Sequence, residues 1–167
     1  MLKIFNDLGP FFEDNYRRIH VREYAKLVGI TPPTASKLLE RLCSENLLKK
    51  IIDKQYYYYY TNKDSFVFKE LQRLYWKLKL APLTDYIEEK MISPVIILFG
   101  SVSKAEITES SDIDLAIFSS SKKGLNVSKF EKGLNRELQV FTFKDLEDVP
   151  KELKNNILNG YILGGSW

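Results

Sequence analysis

The 167-residue chain has one cysteine, one histidine, two methionines and two tryptophans. A lone Cys43 excludes an intramolecular disulfide and a cysteine-rich metal site. A lone His20 argues against a histidine-ligated metal or a histidine-based triad, and the residue is assigned a structural place ahead of a helix. No apolar run approaches the ~20 residues that span a bilayer. The first residues, Met1 to Asp7, show neither the apolar core nor the small-residue cleavage site of a secretory signal. Beyond the five tyrosines of Tyr56–Tyr60 there is no low-complexity tract. These absences leave three expectations: a cytoplasmic location, no membrane contact, and any metal held by oxygen ligands.

Charge of one sign is also missing, since the net charge is only +3. Its distribution is more telling. Residues 1–64 hold 11 Lys/Arg against 8 Asp/Glu, residues 65–91 hold 5 against 4, and residues 92–167 hold 9 against 10. The basic excess lies in the front, a direction that suits a nucleic-acid-facing N-terminus. With 44% hydrophobic and 28% charged residues the composition is that of a globular protein, of one medium domain or two small ones.

Leu2, Ile4, Phe5, Leu8, Phe11 and Phe12 form an apolar stripe at helical spacing, which Gly9-Pro10 is expected to interrupt or bend. Val21–Val28 predicts a second helix, with Gly29 supplying the turn after it. Thr31-Pro32 is a start signal, a hydroxyl cap followed by proline at the first helical position. The helix it opens places Ala35, Leu38, Leu39 and Leu42 on a core face and leaves Thr34, Ser36, Lys37 and Arg41 on the other. Two β-prone runs follow, Leu47–Ile52 and Tyr56–Thr61, separated by the polar tip Asp53-Lys54-Gln55. Cross-strand packing is the expected role of the tyrosines.

Helix, turn, helix and hairpin in this order resemble the winged-helix DNA-binding domains of prokaryotic transcription regulators over residues 1–64. The resemblance implies that Thr34, Ser36, Lys37 and Arg41 face bases or phosphates of double-stranded DNA. Lys49, Lys50 and Lys54 would touch phosphate from the wing. Residues 65–91 form a helical connector: Phe66, Phe68, Leu71, Leu74, Tyr75, Leu78 and Leu80 run at near-helical spacing to Pro82. A second piece carries Leu83, Ile87 and Met91. Its apolar stripe is suited to pairing two protomers as a homodimer or to packing two domains of one chain.

In residues 92–167, Val95–Phe99 is a continuous apolar run suited to a buried strand. Gly100-Ser101 follows, then a polar loop, then Asp112–Phe118 as the next strand, with Asp112, Asp114 and Ala116 on one face. Two carboxylates at i and i+2 repel one another unless a cation lies between them, and hard oxygen ligands of this kind suit Mg²⁺ or Mn²⁺. A Gly-Ser turn after a strand offers backbone N–H groups and a hydroxyl to a phosphate. Asp145, Glu147 and Asp148 are expected to form the acidic first turn of the last helix. Lys122 and Lys123 are expected to be loop charges.

The stretch from Leu98 to Leu115 resembles the signature of the DNA polymerase beta nucleotidyltransferase superfamily, in its minimal bacterial and archaeal branch. The resemblance covers residues 92–167. It implies that Gly100, Ser101 and Lys104 bind the triphosphate of an NTP and that Asp112 and Asp114 are catalytic and bind the metal. A third carboxylate on a neighbouring strand serves as base in the family, and Glu137 is its candidate here. Were Gln139 in that place, the base would be missing, because an amide cannot take up the proton. Ser103-Lys104-Ala105 stands where active relatives often have Ala-Arg-Gly, and Lys104 keeps the charge but not the bidentate fork. Acceptor recognition is expected from the N-terminal module, a second protomer or a separate partner.

The expectation is thus an α+β chain: a winged helix-turn-helix, a helical connector and a minimal nucleotidyltransferase fold with a mixed sheet flanked by helices. Its function would be Mg²⁺-dependent transfer of NMP from an NTP to a protein or RNA acceptor, with a toxin as a further expected partner. The alternative is a DNA-binding transcriptional regulator whose transferase domain senses nucleotide or is inactive.

Overall fold

The computed structural model describes residues 2–121 and 124–167; the assignment of Lys122 and Lys123 as loop charges lies outside the described residues. The chain divides into two compact units. The first runs up to Tyr75 and includes Ala105–Glu109; the second comprises Trp76–Lys104 and Ser110–Trp167. The stretch 65–91 is therefore shared between the units at Tyr75 and Trp76.

The first unit holds α1 (Lys3–Glu13), β1 (Ile19–His20), α2 (Val21–Val28), α3 (Pro32–Ser44), β2 (Leu48–Asp53), β3 (Tyr56–Thr61) and the start of α4 (Phe66–Lys90). Helix α1 continues through Gly9-Pro10, so the expected interruption does not occur. Its buried stripe, Phe5, Leu8, Phe11 and Phe12, binds it to the core on both sides of the proline, and that burial outweighs the lost backbone hydrogen bond. Phe12 lies 5.0 Å from Phe68 and 5.2 Å from Tyr75 between ring centroids, so α1 and α4 share an aromatic core.

Gly29 ends α2 in the left-handed conformation, φ 73°, as a helix C-cap requires. Thr31 occupies the cap position of α3, but its hydroxyl pairs with the Thr34 hydroxyl at 2.9 Å rather than with a backbone N–H. Ala35, Leu39 and Leu42 are buried; Leu38, expected beside them, is only half-buried. β1, β3 and β2 make an antiparallel sheet in that order. The hairpin turns on Lys54 and Gln55, both with positive φ (44° and 71°), the geometry of a two-residue primed turn.

Helix α4 is a single element with Pro82 inside it, not two pieces ending at the proline. Leu80, Leu83 and Ile87 are buried on both sides of Pro82, and their packing carries the helix through it. Phe66, Leu74 and Leu78, expected on a packed stripe, are 73%, 40% and 46% exposed.

The second unit is built on β4 (Val95–Phe99), α5 (Gly100–Lys104), β5 (Ile113–Phe118), α6 (Ser128–Leu134), β6 (Leu138–Phe143), α7 (Lys151–Leu158) and β7 (Tyr161–Gly164). The sheet order is β6-β5-β4-β7, mixed, with β5 and β6 parallel and the other pairs antiparallel. One face carries Ile97, Phe99, Ala116 and Phe118 against Val149 and Ile157; the opposite face, Ile96, Leu98, Ile113, Leu115 and Ile117, is equally buried. The acidic run after β6 is not the first turn of α7. Leu146–Asp148 is a separate 3-10 turn, capped by Asp145, whose side chain accepts from the Glu147 N–H. Pro150 then marks the start of α7.

Candidate active site

The end of β4 and the start of β5 are register partners: Phe99 lies opposite Asp114. At that point the chain leaves β4 through Gly100, whose φ of 73° is a left-handed conformation that favours glycine. A methyl group here would lie 2.0 Å from Asp114 Oδ2, so the carboxylate rests directly against the glycine. Gly100 is thus needed twice, for its backbone and for its bareness. Ser101 is half-buried in the first turn of α5, and Ser103 Oγ donates to the Gly100 carbonyl at 2.9 Å, bracing the turn.

β5 begins at Ile113, so Asp112 precedes the strand and Asp114 is its only residue that is not fully buried. The two carboxylates sit at the strand-start end of a face that further along is solid apolar core. Burial raises the Asp114 pKa above its ordinary value, and the neighbouring Asp112 adds to the rise. A positive charge beside the pair would oppose the rise by favouring the ionised form. Among the described residues no three His, Cys, Asp or Glu side chains converge. A divalent cation would therefore take two protein carboxylates and complete its shell with water and phosphate oxygens, a set that fits Mg²⁺.

The neighbouring strand supplies an amide. Asp114 is paired in register with Gln139, and Gln139 Nε2 donates to Asp112 Oδ2 at 2.7 Å. Glu137 lies one step outside β6, exposed, with its backbone carbonyl accepting from the Ile113 N–H at 2.9 Å. The strand period puts it on the same face as Gln139, opposite Asp112.

Residues 82–164 match the family model described as Polymerase beta, Nucleotidyltransferase. No curated protein and no solved structure matches the chain. The match covers every element of the site above and supports nucleotidyl transfer as its general class of chemistry. Within this nucleotidyltransferase-like region Lys104 is exposed at the end of α5, where its Nζ donates to Asn156 Oδ1 of α7 at 3.1 Å. One residue escaped the sequence reading. Arg136 is 8% exposed, its Nη1 donates to the Ser111 carbonyl at 2.7 Å, and its guanidinium lies 5.5 Å from the Trp76 ring centroid. It ties down the residue before Asp112. Its position two residues before a strand carries no recognisable motif, so only its burial reveals it.

The residues expected to contact DNA are less free than their sequence suggests. Arg41 is 3.8 Å from Asp7 and 3.7 Å from Glu45, Lys49 pairs with Asp64 at 2.6 Å, and Lys50 with Glu40 at 2.7 Å. Thr34 is bonded to Thr31. Ser36 is half-buried, while Lys37 and Lys54 are exposed. No helix among the described residues is long and apolar enough to cross a membrane.

Proposed function

We propose that the second unit binds an NTP at Gly100 and Ser101, with Mg²⁺ or Mn²⁺ held by Asp112 and Asp114, and transfers the nucleotidyl group to a hydroxyl of a protein or RNA. The observation that carries this reading is the contact of the Asp114 carboxylate on Gly100, which joins a phosphate-accessible backbone turn to a carboxylate pair. The cation supplies charge to the triphosphate and to the departing pyrophosphate. The turn after β4 holds the phosphates through backbone N–H groups. The acceptor oxygen bonds to the α-phosphorus as the bond to pyrophosphate breaks, and the acceptor proton passes to Glu137.

A second reading has its own observation. Gln139, not a carboxylate, contacts Asp112, and an amide cannot serve as base. In that case the unit binds nucleotide and signals its presence without rapid turnover. In both readings the first unit is a winged helix, with Ser36, Lys37 and Lys54 as its contacts to duplex DNA.

Label transfer from each α-³²P NTP, with Mg²⁺ or Mn²⁺, into RNA and protein separates the two. Label that is lost in Asp112→Ala/Asp114→Ala and in Glu137→Gln establishes the transferase. No label from the native chain, but label from Gln139→Glu, establishes the sensor.

A further inference from the structure

The tyrosine run is divided by the sheet. Tyr59 is buried, with its hydroxyl donating to Glu40 of α3 at 2.7 Å, and Tyr57 lies on the same side, beneath Lys50. Tyr56, Tyr58 and Tyr60 project from the opposite face, spaced two residues apart. Tyr56 is 64% exposed, and Tyr58 and Tyr60 are half-buried. Two hollows border these rings. One, of about 470 Å³, is lined by Tyr56, Tyr57 and Tyr58 of the strand with His20, Arg22 and Pro32, the first residue of α3; the other, of about 290 Å³, by Tyr16, Arg18, Tyr60 and Lys63.

Cations lie beside the rings. Arg18 stands 6.0 Å from the Tyr60 centroid and Lys63 3.0 Å from that of Tyr16. The ion pairs of the described residues include none of Arg18, Arg22 and Lys63, unlike Arg41, Lys49 and Lys50 around α3. Lys49 also borders the second hollow, where Asp64 neutralises it. His20 Nδ1 accepts from the Glu23 N–H, which in the neutral ring puts the proton on Nε2, a donor.

We infer that this face binds single-stranded RNA. Rings spaced along a strand, with cations beside them that make no ion pair, suit successive bases and the phosphates that join them. The tyrosine hydroxyls and His20 offer partners to 2′-hydroxyls. A duplex hides its base faces and gives the rings nothing to stack on. The inference is independent of whether the second unit transfers nucleotide.

The test is fluorescence anisotropy of the full chain with labelled rU12, without nucleotide or metal. Tyr58→Ala and Tyr60→Ala each weaken binding about 5- to 150-fold, as expected for loss of one stacked base. Tyr58→Phe/Tyr60→Phe retains most of it, and Lys37→Ala on α3 leaves it unchanged. The salt dependence has a log–log slope of roughly −2, from three cations on a single strand. Circular dichroism of each variant separates loss of binding from loss of fold. Absence of rU12 binding at low salt, or indifference of binding to correctly folded Tyr→Ala variants, overturns the inference. So does a duplex DNA that competes more strongly than rU12, or a dU12 that binds equally well.

Discussion

In the four-stranded sheet β4 is buried along its whole length and β5 everywhere except Asp114, whereas in the three-stranded sheet β2 is exposed from Lys49 to Asp53 and β3 from Tyr56 to Tyr57. The difference decides where each sheet can hold chemistry. A strand buried on both faces has no room for polar groups except at its ends, where the chain turns; Gly100, Asp112 and Asp114 all lie there. A sheet with an open face can carry function along the strand, in the alternation of Tyr56, Tyr58 and Tyr60. Damage to the first kind of site should therefore disturb the fold more than damage to the second.

The largest test of that contrast is Gly100→Ala. The new methyl must displace Asp114 and the backbone must hold a left-handed alanine, a strain of about 1–3 kcal/mol. Nucleotide-dependent thermal stabilisation, ~2.7 kcal/mol at 100-fold Kd in the native chain, is expected to vanish, together with a lower Tm of the apo protein. Tyr58→Ala/Tyr60→Ala, which removes two half-buried rings, should lower the Tm less than Gly100→Ala does; a drop as large as that of Gly100→Ala would break the comparison.

Arg136→Met should come next. It removes a charged donor from the Ser111 carbonyl, a loss of about 1.5–3 kcal/mol, read as a lower denaturant midpoint. Because it holds the residue before Asp112, the variant should also need more Mg²⁺ for nucleotide binding. An unchanged Mg²⁺ requirement in a destabilised protein would reduce Arg136 to a structural role.

The smallest effect concerns pH. The Asp114 pKa is raised in the folded chain, so the fold binds this proton more tightly than the unfolded chain does. Its stabilising contribution is present below the ordinary carboxylate pKa of about 3.9 and is lost as pH rises through the raised value. Above that window the ionised, half-buried group destabilises the apo protein, and Asp114→Asn should raise the neutral-pH Tm slightly while abolishing cation binding. Nucleotide binding with Mg²⁺ should strengthen over the same rise in pH. A slope of the opposite sign would show that the carboxylate has another partner.

Much of this was legible in the chain. The strand Val95–Phe99, the Gly-Ser turn and the aspartate pair announce themselves because a buried strand, a positive-φ turn and an acidic i, i+2 pair each require particular residue types. The α2–turn–α3 segment was legible through Gly29 and Thr31-Pro32 for the same reason. The prolines misled. Pro10 and Pro82 lie inside helices because buried residues on both sides hold them there, a tertiary effect that local rules cannot register. The acidic run after β6 has the composition of a helix start, but a 3-10 turn with its own cap satisfies the same composition.

The sequence by itself determined the local devices: where strands end, where glycine is needed, and which side chains of a strand share a face. It left the neighbour of the aspartates undecided between Glu137 and Gln139, since both have the same parity on β6. Only the pairing of β5 with β6 decided that Gln139 meets Asp112. Tertiary structure also decided that Arg41, Lys49 and Lys50 are engaged by carboxylates distant in the chain, and that Ala105–Glu109 packs in the first unit, where the Asn15 N–H donates to the Ile107 carbonyl at 2.8 Å. The reason is common to all three. A side chain's partner across a sheet or between helices depends on register and packing, which are properties of the whole fold and not of the residues that carry them.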